Sequence, residues 1–131
     1  MVDTADIDTL VRCIPELVNG DNWLTHRGRF VRLDFVIQID AAVYYLAVDR
    51  GRISPVDSAT RLTPAYCFAL RGSAATWGAF WQQMPRPPFH DIFAMSHLSD
   101  LRIEGNLRPL MANLTYFKDV LTTPRQLDRN S

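Results

Sequence analysis

The sequence predicts an α+β domain: a single layer of five mostly antiparallel strands with helices packed on one face. Three observations carry that prediction. Residues 30–39 alternate apolar and polar, the period of two that a half-buried strand requires. Residues 100–121, DLRIEGNLRPLMANLTYFKDVL, join a strand, a turn and an amphipathic helix in one short unit. The 131 residues, 47% hydrophobic, are enough for one core, so residues 1–131 form one domain. Its core spans about residues 4–121, and the polar stretch 122–131 reads as a flexible tail.

The first helix covers residues 3–19. Ile7, Leu10, Val11, Ile14, Leu17 and Val18 make its apolar stripe, Thr4 or Asp6 can cap it, and Asn19-Gly20 closes it. Pro15 removes a backbone donor in its middle, which predicts a kink or break. Residues 21–28 read as a connector into the sheet. In the first strand Val31, Leu33, Phe35, Ile37 and Ile39 share one face. Residues 43–48 are apolar on both faces, as a central strand is. Asp49-Arg50-Gly51 turns the chain into a short strand at 52–56, completing an antiparallel meander. After a polar loop at 57–63, Pro64 opens a fourth strand at 65–71.

Ser73 caps a helix at 74–84, in which Trp77, Phe80, Trp81 and Met84 recur at helical spacing. Pro85-Arg86-Pro87-Pro88 must run extended and stops it. A short helix follows at about 91–98. The last strand, 101–104, alternates Leu101, Arg102, Ile103 and Glu104. Gly105-Asn106 turns, Pro109 suits a first helical turn, and Leu107, Leu110, Leu114, Phe117 and Leu121 form the closing stripe, widened by Met111 and Val120.

Leu101, Ile103, Gly105 and Asn106 resemble the last-strand motif of the sterol-carrier-protein type-two family, with Asn where Asp is more usual. The stretch FALRGSAATW, residues 68–77, is similar to that family's strand-then-helix step. The resemblance covers roughly residues 30–121. It implies a small lipid-binding fold with a tunnel for an apolar ligand between sheet and helices.

Composition narrows the alternatives. Fourteen basic residues balance 14 acidic ones, so no overall field recruits nucleic acid or an anionic membrane. Arg27, Arg29 and Arg32 cluster, but without a nucleic-acid motif they read as solvated charges. The acidic N-terminus lacks the pattern of a secretory signal, and the longest apolar run, 41–48, is far too short to span a bilayer. A cytoplasmic protein with no integral membrane segment is expected. Cys13 and Cys67 read as reduced, and the scattered His26, His90 and His97 offer no metal set. No nucleophile elbow, P-loop or dinucleotide fingerprint is present, so no cofactor is expected.

The remaining signal is an excess of large apolar side chains. Phe35, Phe68, Trp77, Phe80, Trp81, Met84, Phe89, Phe93, Met95, Met111, Leu114 and Phe117 are expected to converge between sheet and helices. As a plain core they need no ligand; with the resemblance they line a pocket, and His90 or Tyr116 would orient the ligand's polar end. The expectation is a binder or carrier of a lipid or other bulky apolar molecule. The alternative is a small cofactor-free cyclase or isomerase with His90 and Asp91 as acid and base. Adjacent side chains point apart in most backbones, and Asp91 also suits a helix cap. The admissible partners are an apolar small molecule and, as a homodimer, a second copy of the chain.

Overall fold

The computed structural model describes residues 4–56, 66–82 and 84–126, with the side chains of residues 4–6 left aside. The polar loop at 57–63 and the start of the expected fourth strand lie outside the described residues. Five strands form one sheet: β1 (Arg32–Ile39), β2 (Ala42–Asp49), β3 (Arg52–Val56), β4 (Phe68–Gly72) and β5 (Arg102–Gly105). They are ordered β3-β2-β1-β4-β5. The meander is as expected, with Phe35 opposite Leu46 and Val48 opposite Ile53. β4 lies parallel to β1, Phe68 beside Phe35, and β5 returns antiparallel to β4. The sheet is therefore mixed, with three antiparallel pairings and one parallel one.

The helices are α1 (Thr4–Asn19), α2 (Asn22–Arg27), α3 (Ala74–Phe80), α4 (Ile92–Leu98), α5 (Arg108–Ala112) and α6 (Leu114–Thr122). Between them and the sheet lies one core that includes Ile7, Ile14, Phe35, Ile37, Phe68, Leu70, Trp77 and Phe117. The second face of the sheet is more open. There Val36 and Ala69 are buried, while Tyr66 and Val43 are exposed.

Several expectations need correction. α1 runs unbroken through Pro15. Ile14 and Val18 on either side are fully buried, so packing holds both turns in line despite the lost donor. The connector at 21–28 contains α2. Asp21 caps it by accepting from the backbone N–H groups of Trp23 and Leu24 at 3.0 and 3.2 Å, and Leu24 is its single buried residue. α3 stops at Phe80 because the Trp81 indole is drawn inward to donate to the Leu121 carbonyl at 2.7 Å; Met84 is exposed.

The closing helix is two helices. Asn113 interrupts it, its side chain and its backbone N–H both bonding the Pro109 carbonyl. The tail is ordered further than expected. Residues Thr123–Gln126 form a 3-10 turn in which Thr123 and Pro124 are buried.

Candidate functional site

α4 is the element around which the expected site residues gather. Asp91 caps it, its carboxylate accepting weakly from the Phe93 N–H at 3.5 Å and pairing with the Lys118 ammonium at 3.2 Å. That ammonium also lies 5.9 Å from the centre of the Phe93 ring. Only Ile92 and Met95 of α4 are buried. Two of the clefts that border the helix contain expected site residues. One, of about 320 Å³, is formed by Phe80, His90, Asp91, Ile92, Lys118 and Thr122. The other, of about 500 Å³, lies between α4 and β5, with Phe93, Leu101, Ile103 and Leu107 as its apolar wall.

Beneath these clefts the aromatic side chains pack on one another. Phe35 and Phe68 stack at 5.4 Å, and Phe117 meets both edge-on at 5.7 and 5.2 Å. Trp77 stacks on Trp81 at 4.9 Å and takes Phe80 edge-on at 5.8 Å. Such distances are those of favourable ring pairs in a close-packed interior. The Trp77 indole donates to the Gln38 carbonyl at 3.0 Å. The Tyr116 hydroxyl donates to the Gly51 carbonyl at 2.8 Å, and burial pushes its pKa up, so it is occupied within the fold. Gly28 permits this seat: a β-carbon there would stand 2.3 Å from the Tyr116 ring.

The expected residues thus fall into three groups. Phe35, Phe68, Trp77, Phe80, Trp81, Met95 and Phe117 are buried in the core. Phe89, Phe93 and Leu114 are half-buried. His90 and Met111 face outward, Met111 being 55% exposed, so neither joins the buried layer. Asp91 is held by the Phe93 N–H and Lys118, an arrangement of a helix cap and an ion pair.

Two cations escaped sequence reasoning. Lys118 sits on α6 beside Phe117. Arg125 lies over the Phe80 ring at 4.5 Å and donates to the carbonyls of Phe80 and Phe89 at 2.8 and 3.3 Å; burial lowers its pKa. No motif marks either one, although Lys118 is the chain's single lysine.

Two further clefts hold none of the expected site residues, although the first touches α4 at Ser96. One, of about 570 Å³, is polar and lined by Gln38, Asp40, Arg71, Ser73, Asp100 and Arg102 among others. There the Thr76 hydroxyl donates to Asp100 at 2.6 Å and, with Ser73, lowers the carboxyl pKa. The second, of about 750 Å³, lies between α1 and the β2–β3 side of the sheet. Its Tyr44 hydroxyl donates to Asp8 at 2.5 Å, beside the Asp8–Arg12 ion pair. Among the described residues no cluster of side chains suits a metal ion, and no helix is long and apolar enough to cross a membrane.

Solved structures share this architecture. The structure of a sterol carrier protein 2 superposes with a TM-score of 0.66 over 92% of this chain and 96% of its own, at 10% identity. The fold is that of sterol carrier protein 2. A ubiquinone synthesis protein, UbiJ-SCP2, matches at TM-score 0.59 with 95% of both chains covered and 8% identity. A conserved hypothetical protein of Thermus thermophilus, described in relation to sterol carrier protein, matches at 0.55 over 89% of this chain and 87% of its own, at 10% identity. No protein-family model and no curated protein matches the sequence. The sterol-carrier fold is therefore shared at only 8–10% identity.

Proposed function

We propose that this protein binds or carries a lipid or other bulky apolar molecule in a tunnel between sheet and helices, entered beside α4. The observation that carries the reading is the cleft of about 500 Å³ between α4 and β5, walled by Phe93, Leu101, Ile103 and Leu107. That size lies within the range of small-molecule sites. Two proteins of the same fold are named for a sterol and for ubiquinone, both bulky and apolar. Outward displacement of α4 would connect this cleft to the one at Phe80, making Phe80 and Phe93 walls of one channel. Affinity would come from apolar burial, at roughly 25 cal/mol per Å² before the costs of association. His90, at the rim of the Phe80 cleft, would meet a ligand's polar end.

The test is native mass spectrometry of the purified protein, followed by thermal unfolding with a panel of fatty acids and isoprenoid alcohols. A ligand bound to the native state at about 100 times its Kd adds about 2.7 kcal/mol and raises Tm by several degrees. A co-purified lipid or such a shift is expected. Absence of both across the panel would sink the carrier reading.

A further inference from the structure

The two edges of the sheet are treated differently. At the β3 edge the Asn19 side-chain amide brackets Ile53, donating to its carbonyl at 2.8 Å and accepting from its N–H at 2.9 Å. Pro55 has no backbone donor to offer there. That edge is closed by the chain itself. The β5 edge has no such cover among the described residues.

The backbone phase shows which β5 groups face out. Asp40 N–H donates to the Gly72 carbonyl at 3.0 Å, so Gly72, Leu70 and Phe68 turn their backbone groups toward β1. Ala69 and Arg71 then face β5 and pair with Glu104 and Arg102. The Asn106 N–H to Cys67 carbonyl bond at 2.8 Å continues that phase. The N–H and C=O of Ile103 therefore point away from the sheet.

We propose that a second copy of this chain pairs along β5, joining two sheets into one of ten strands. A closed two-fold contact sets identical edge strands antiparallel. Three registers match outward-facing backbone groups. Pairing Ile103 with Leu101 of the partner subunit sets Arg102 against Arg102, and pairing it with Gly105 of the partner subunit sets Glu104 against Glu104. Pairing Ile103 with Ile103 of the partner subunit instead sets Arg102 against Glu104 twice, at closely spaced cross-strand positions. Charge selects that one register. Arg102 is exposed and pairs only loosely, at 3.7 Å, with its own Glu104, whose other oxygen accepts from Arg71 at 3.0 Å, so both charges stand at this edge. The same two-fold brings Leu98, 74% exposed before β5, toward the end of the joined sheet that carries the partner's α5, where Met111 is also exposed.

Sedimentation velocity from about 1 µM to 1 mM would test this, with circular dichroism to confirm that each variant folds. The natural chain should pass from monomer to dimer with rising concentration. Arg102→Glu or Glu104→Arg alone should weaken association by roughly tenfold or more, since both cross-strand pairs become repulsive. The double exchange Arg102→Glu/Glu104→Arg should restore it. Ile103→Pro removes the outward donor without touching the ladder to β4 and should leave a folded monomer. A natural chain monomeric throughout, or single exchanges that dimerise like it, would overturn the proposal.

Discussion

α1 and α4 both cover the inner face of the sheet, yet they are held very differently. α1 sinks Ile7, Leu10, Val11, Ile14 and Val18 into the core and is tied to β3 through Asn19. α4 sinks only Ile92 and Met95, and its start depends on a long cap bond and one ion pair at Asp91. The first is a wall and the second is a flap. Local opening free energies follow buried apolar contact, so α4 is expected to open more readily than α1.

The sharpest way to break this contrast is to cut one ring from each half. Phe117, fully buried and in contact with Phe35, Phe68 and Tyr116, should cost about 3–5 kcal/mol when changed to Ala. Phe93→Ala should cost far less stability, because the ring is half-buried at the rim of a cleft. If the carrier reading holds, Phe93→Ala also changes which chain lengths bind. Denaturant unfolding measures the first effect and ligand titration the second. Equal losses of stability would erase the distinction between wall and flap.

Hydrogen exchange addresses the same point without mutation. Amides of α4 should open at least about tenfold more often than those of β1, and should slow most when an apolar ligand is added. Uniform protection along both elements would argue against a flap. A smaller effect is expected at the cap itself. Asp91→Asn retains a capping oxygen but abolishes the pair with Lys118, so it should cost at most about 1 kcal/mol and raise α4 exchange selectively.

The contrast between α1 and α4 was only partly legible in the sequence. The meander, the Ser73 cap and the α1 stripe are local patterns that stand as read, save that Leu17 of the stripe is only half-buried. α2 has one buried side chain in six residues, too few to make a stripe, so its only signal was Asp21 as a cap. The parallel pairing of β4 with β1 joins residues 33 apart, and no local period encodes it. The aromatic residues were found from composition and spacing, but rings that fill a core and rings that line a pocket are the same residue types. Only packing separates Phe117 from Phe93, and only tertiary contact joins Lys118 to Asp91.

The smallest expected effect lies on the rigid side, where α1 meets β2 through Tyr44 and Asp8. Burial first, and then the bond to Asp8, push the Tyr44 pKa up to about 12. The same bond, with the Arg12 pair, lowers the Asp8 pKa. The two shifts act at opposite ends of the pH scale. A raised tyrosine pKa stabilises the fold fully below the unfolded value near 10, and that stability is lost as pH rises toward about 12. A lowered carboxyl pKa stabilises above the unfolded value near 4 and is lost as pH falls through the folded one. Asp8 is partly exposed, so water screens the pair and the bond should be worth less than about 1 kcal/mol. Tyr44→Phe should remove this contact's share of the alkaline limb of the stability–pH curve, leaving the share of buried Tyr116, and weaken the acid limb in part, since Arg12 still holds Asp8. Asp8→Asn should abolish the acid contribution and soften the alkaline one, leaving the burial part of the tyrosine shift in place. Urea midpoints measured from pH 3 to about 11 decide it. An alkaline limb unchanged in Tyr44→Phe would show that this contact does not help hold α1 to the sheet.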